Sequence, residues 1–123
     1  MFGRKLSESD VVLVLRRAFV KVLMAERMLR DKRLRVRLTI VTAMAGLPLP
    51  GEFLGGVYRA DAYGEIKRAI RMIDKLIKNR PGEDRVRLES AKKVLEEVGK
   101  DSTTAELRDA ITRALTLIEG GSL

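Results

Sequence analysis

The chain is expected to fold as an all-α protein of about five helices. These form a long basic N-terminal helix or helix pair, a Pro/Gly hinge, and a C-terminal antiparallel three-helix bundle. Three observations carry that expectation. Apolar residues recur at three- and four-residue spacing through most of the sequence. Glycine and proline are absent between Gly3 and Gly46 and then crowd into GLPLPGEFLGG, residues 46–56. Aromatic residues make up only 4%, so the core must come from Leu, Ile, Val, Ala and Met, which suits helices packed on helices. At 123 residues the chain is one folding unit with a core of ordinary size. It divides into a basic helical arm (1–45), the hinge (46–60) and the bundle (61–123).

The N-terminal helix opens at Ser7, which with Asp10 has the pattern of an N-cap followed by a first-turn acid. Residues 11–15, VVLVL, are apolar all round and imply contact on more than one side. An unbroken helix from 8 to 45 would be about 57 Å long, well beyond the ~30 Å width of a small domain. Either it breaks near Arg30–Lys32, or it projects as an arm and meets other subunits. After the breaker, Ile66, Ala69, Ile70, Ile73 and Ile77 mark a helix from about Asp61 to Asn79, stopped by Pro81-Gly82. Leu88, Ala91, Leu95 and Val98 mark the next, from about Asp84 to Val98, with Gly99 at its C′ position. Thr103 and Glu106 form a capping box for the last, whose stripe runs from Leu107 to Ile118 before Gly120. Short connections make these three antiparallel neighbours.

Charge is polarised along the chain. The total is +8, with pI near 10.2, but residues 1–45 carry eleven cations against four acids, and residues 101–123 carry two against four. The stretch RDKRLRVRL, Arg30 to Leu38, concentrates the excess. Its alternation also suits a β-strand, and β-branched residues follow it. Yet no second segment offers itself as a pairing partner, and only a two-fold ribbon across a dimer would satisfy the backbone. On a helix, Arg27, Arg30, Arg33 and Arg37 fall within a band of roughly 120°, joined by Arg16. Leu34, Leu38, Val41 and Ala45 form one apolar line beside it, and Val36, Ile40 and Met44 another. Arg27 to Arg37 spans about 15 Å of axis, over which duplex DNA presents about nine phosphate charges. The planar guanidinium fork suits such contacts. The competing reading is a solvated or intersubunit ion-pair face, although within the segment six cations meet only Glu26 and Asp31.

The candidate nucleic-acid-binding residues are therefore Arg16, Arg17, Lys21, Arg27, Arg30, Arg33, Arg35 and Arg37. Arg68 and Arg71 come from a second basic face that also includes Lys75 and Lys78. Tyr58 and Tyr63 are available for base stacking, but two tyrosines make a thin platform. Catalysis is not expected. The chain has no His for general-base work and neither His nor Cys for a zinc site. Residues 46–56 lack the GK[ST] of a phosphate-binding loop and the glycine spacing of a dinucleotide fold. Ser90-Ala-Lys-Lys93 matches S-x-x-K without companion motifs. Glu89, Glu96 and Glu97 would hold a hard cation only incidentally. No metal or cofactor is expected.

No secretory signal is apparent, and the longest uncharged run, Leu38 to Gly51, is fourteen residues, short of the ~20 a spanning helix needs. A soluble protein of the cytoplasm or a virion is expected. The absence of Cys and Gln, with Asn79 the only asparagine, follows the compositional trend of hyperthermophile proteins.

Taken together, Arg16, Arg17, the Arg27–Arg37 cluster and L47PLPGEFLGG56 give a layout that resembles the major capsid proteins of filamentous viruses of hyperthermophilic archaea. That resemblance implies an all-helical subunit that assembles as dimers along double-stranded DNA and wraps it with N-terminal helices. It also implies subunit contacts through residues 11–15 and 38–49. The expected function is non-catalytic, sequence-independent binding of nucleic-acid backbone by a homo-oligomer that coats a genome. Two alternatives stand beside it: a helical interaction module for an acidic protein partner, and a small archaeal transcription regulator.

Overall fold

A computed structural model describes residues 6–46 and 51–119; the side chains of Leu29, Arg35 and residues 51–54 lie outside that description. Among the described residues there are five helices and no strand: α1 (Glu8–Arg30), α2 (Lys32–Met44), α3 (Gly51–Ile77), α4 (Gly82–Glu96) and α5 (Thr104–Glu119).

Capping chemistry sets most of the boundaries. At the start of α1 the Ser7 backbone N–H donates to Asp10 Oδ2 at 2.9 Å, the reciprocal half of a capping box. Asp31 then does two jobs. It leaves the helical region, at φ −92° and ψ 95°, while its N–H donates to Arg27 O at 2.8 Å and closes α1. Its Oδ1 accepts from the Leu34 N–H at 3.1 Å and opens α2. One short acid thus breaks what would otherwise be a single long rod. Residues 33–40 lie within α2, so the alternation of RDKRLRVRL is read by a helix. Leu34 and Leu38 are half-buried, while Arg33, Val36, Arg37 and Ile40 are exposed. Gly46 ends this segment at φ +84°, a left-handed cap that side chains resist.

The hinge expected over 46–60 is shorter than its composition implied. Residues 47–50 lie outside the described residues, and from Gly51 onward the chain is already α3, ten residues before the expected start near Asp61. Gly55 and Gly56 sit inside this helix despite a propensity cost of about 1 kcal/mol each; Gly55 is buried there and Gly56 exposed. At the far end Gly82, at φ +65°, turns the chain into α4. Gly99 is not in the left-handed conformation expected at a C′ position; instead its N–H donates to Ser102 Oγ at 2.8 Å. α5 opens with the expected capping box, Thr103 N–H to Glu106 Oε1 at 2.8 Å and Glu106 N–H to Thr103 Oγ1 at 3.1 Å.

Cross-links between helices define the topology. Arg108 meets Glu26 and Arg16 meets Glu119, so α5 runs antiparallel to α1. Arg59 donates to the carbonyls of Lys100 and Ser102 while Arg17 meets Glu65, so α3 also runs antiparallel to α1. Arg87 reaches Glu8, which sets α4 parallel to α1. The three C-terminal helices form the expected bundle, and α1 completes it as a fourth member. Its residues Val11, Val14, Leu15, Ala18 and Val22 pack with Ile66, Ile73, Leu88, Leu95, Leu107 and Ile111 in one core. Each fully buried aliphatic contributes about 1.5–3 kcal/mol of transfer free energy. The all-round apolar run 11–15 is thereby placed mainly inside the molecule, with Leu13 the member left exposed.

α2 behaves differently. None of its described side chains is fully buried. It stands at the end of the bundle where α1 finishes, beside the start of α3. Among the described residues no helix is long and apolar enough to cross a membrane.

Candidate nucleic-acid interface

The nine candidate residues whose side chains are described differ in what the bundle brings opposite them. On the body of α1, Arg16 Nη2 donates to Glu119 Oε1 at 2.8 Å. Arg17 Nη2 donates to Glu65 Oε2 at 3.1 Å, and Lys21 Nζ lies 3.8 Å from the other oxygen of the same carboxylate. The bundle brings these acids from α3 and α5, far away in sequence, and so occupies three of the expected phosphate ligands.

Further along α1 the pattern changes at Glu26. It is the one buried charged residue among those described, 8% exposed. Arg108 Nη1 lies 2.9 and 2.7 Å from its two oxygens, and Arg30 Nη2 donates to it at 3.1 Å. Two guanidiniums share one carboxylate, so this trio keeps a net positive charge. The Arg30 side chain remains 74% exposed.

Arg27, Arg33 and Arg37 are exposed. None of them is paired with a carboxylate among the described residues. The same holds for Lys32, which was not among the candidates, and for Arg68 and Arg71 on α3. The side chain of Arg35 lies outside the described residues. Arg27, Arg30, Lys32 and Arg33 line one open concavity at the α1–α2 elbow with Leu23 and Asp31. Asp31 is the only acid in that lining, and its carboxylate is engaged by the Leu34 N–H. A second open groove runs along α2, lined by Lys32, Arg33 and Arg37 together with Val36, Ile40 and Val41.

Arg68 and Arg71 do not join this cluster. Glu65 of α3 lies against Arg17 and Lys21, and α3 runs antiparallel to α1, so Arg68 and Arg71 lie toward the opposite end of the bundle. Tyr63 packs against the core, with Lys67 Nζ 5.5 Å from its ring centroid. Of the acids weighed as an incidental cation site, Glu89 accepts from Arg85 and Glu97 from Arg113.

Sequence reading missed Lys32 and Arg108. The signal for Lys32 was Asp31 as an N-cap, which places the next residue on the first turn of a new helix. Nothing local pointed to Arg108, because its partner is 82 residues away. No protein-family model, curated protein or solved structure matches this chain.

Proposed function

We propose that this chain is a non-catalytic protein that binds the phosphate backbone of nucleic acid, double-stranded DNA in the first instance, without reading its sequence. The observation that carries the reading is the elbow. Arg27, Arg30, Lys32 and Arg33 converge on one concavity whose single acid is already a helix cap. Arg27, Lys32 and Arg33 meet no described carboxylate and Arg30 shares that of Glu26 with Arg108, so positive charge is left over for a polyanion, and guanidinium forks match phosphate oxygens bidentately. Arg37 extends the same charge along α2. Coating of a genome by an oligomer, in a virion or a nucleoid-like particle, is the role the layout resembles. The exposed Val36, Ile40, Val41 and Met44 favour assembly through α2.

The test is binding to labelled duplexes of several unrelated sequences across a salt series. Four elbow cations engaging phosphates predict a slope of log K against log salt of about −3 to −4, with little difference among sequences. A large ratio of specific to non-specific affinity would instead mark a regulator. No binding at low salt would leave the interaction-module reading, which the apolar α2 face favours.

A further inference from the structure

α3 carries a second set of cations that the elbow does not use. Arg68, Arg71 and Lys75 fall within about 60° of its circumference at 3.6 residues per turn, and Lys78 follows in the turn beyond. All four are exposed, and no described carboxylate pairs with them. From Arg68 to Arg80 the one acid is Asp74, and Lys92 Nζ of α4 holds it at 2.5 Å. Glu65, one turn before Arg68, is taken by Arg17 and Lys21 of α1. These ion pairs mark the flanks of the helix, with Glu65 turned toward α1 and Asp74 toward α4. The stripe runs between them, opposite the buried Ala69, Ile73 and Leu76.

We infer that this stripe is a second phosphate-backbone site, and that one chain links two duplex segments, one at the elbow and one on α3. The inference rests on the proposed function and adds a valency of two to it. Distance separates the sites. Glu65 stands level with the middle of the Arg17–Lys21 turn. At 1.5 Å per residue, Arg27 then lies about 12 Å along the bundle in one direction and Arg71 about 9 Å in the other. The ~21 Å between them exceeds the ~8 Å screening length at physiological salt, so the sites act independently. Arg27 lies opposite the buried Ala18 and Ala25 of α1, so the two sets point outward from different corners of a four-helix bundle. A duplex, stiff over roughly 500 Å, resists folding over the edge between them.

The chemistry of the stripe selects a polyanion with regularly spaced charge. Between residues 64 and 78 no large hydrophobic side chain is exposed, so the apolar centre of a protein–protein interface is missing. An interfacial membrane helix likewise needs an apolar face. Arg68 to Lys75 covers about 10 Å of axis, over which a duplex presents about six phosphate charges. Each of the three cations has a phosphate to meet. The elbow, concave and richer in cations, is the tighter of the two sites.

The experiment uses the full chain and two duplexes of unrelated sequence, each of about 30 base pairs, short against the ~150 of the persistence length. One duplex is fixed on beads and the other carries a fluorophore. At about 50 mM salt, where backbone contacts are strong, wild type is expected to stay on the beads and capture the labelled duplex. Arg68→Ala/Arg71→Ala/Lys75→Ala should cut that capture about tenfold, while its salt slope on a single duplex stays within about half a unit of wild type. Arg16→Ala/Arg85→Ala/Arg113→Ala removes the same charge from ion-paired positions and should leave capture unchanged. Helical circular dichroism should be that of wild type in both variants. Wild type held on the beads without a second duplex, capture that survives the stripe variant, or equal loss in the ion-paired control would each overturn the second site and leave the elbow reading standing. A single-duplex slope flattened by the stripe variant would put both sets of cations on one duplex and overturn it too. So would stripe-dependent binding of anionic vesicles with no second duplex captured. A chain that no duplex retains would overturn the proposed function and this inference with it.

Discussion

The body of α1 and the elbow that follows it carry the same residue types in different circumstances. Arg16, Arg17 and Lys21 lie on a helix gripped by the bundle, and Glu119 and Glu65 reach them from α5 and α3. Arg27, Lys32, Arg33 and Arg37 lie where the bundle ends, and no described carboxylate reaches them. The difference teaches that a cation's availability is set by what the fold delivers opposite it. Local charge counting treats both groups alike. The first group stabilises the monomer only weakly, because exposed ion pairs contribute roughly 0–1 kcal/mol; the second makes no such pair with a described carboxylate.

Stability should separate the two regions most. Leu15→Ala on α1 empties a fully buried site and should cost about 2–5 kcal/mol. Ile40→Ser on α2, at a half-exposed site, should stay within about 0.5 kcal/mol in the monomer. Chemical denaturation of the two variants checks this, and equal losses would mean that α2 is as deeply packed as α1.

Glu26→Gln sharpens the boundary between the two groups. It weakens the bonds from Arg108 and Arg30 and should lower stability by about 1–2 kcal/mol, since bonds to charged groups contribute about 1.5–3 kcal/mol and both guanidiniums can rehydrate. The same change frees Arg30 and should tighten duplex binding. A variant that loses stability and affinity together would show that Arg30 is positioned by Glu26 rather than held back by it.

The smallest effect is at the α5 cap. Thr103→Ala should cost about 1 kcal/mol. The Glu106 carboxyl is held below its usual 4.5 by the hydrogen bonds from the Thr103 backbone and hydroxyl. A lowered folded value means the contribution is present above the unfolded value and lost as pH falls through the folded one. The wild-type advantage over Thr103→Ala should therefore shrink on acidification below about pH 4.5, followed by thermal melts of both proteins.

Much of this fold was legible in the sequence because its signals were local. The Ile66–Ile77 stripe, the Thr103–Glu106 box and the Pro81-Gly82 stop each act within a few residues. The start of α3 was not legible: Gly55 and Gly56 read as breakers, yet both lie inside the helix. The candidate site was half legible for the same reason. The excess of arginine is visible in the sequence, but Arg16 with Glu119 is a meeting of residues 103 positions apart, and only the bundle decides it. The break at Asp31 was legible as a length argument, and its mechanism, one residue capping both helices, came from geometry.

The central claim is that unpaired elbow cations, not basicity in general, hold the polyanion. It is tested most directly by comparing the salt dependence of duplex binding for Arg27→Ala/Arg33→Ala/Arg37→Ala with that for Arg16→Ala/Arg17→Ala. The first variant is expected to flatten the slope by about two to three units, while the second leaves it within about half a unit of wild type. Equal flattening by both, or none by the elbow variant, would contradict it.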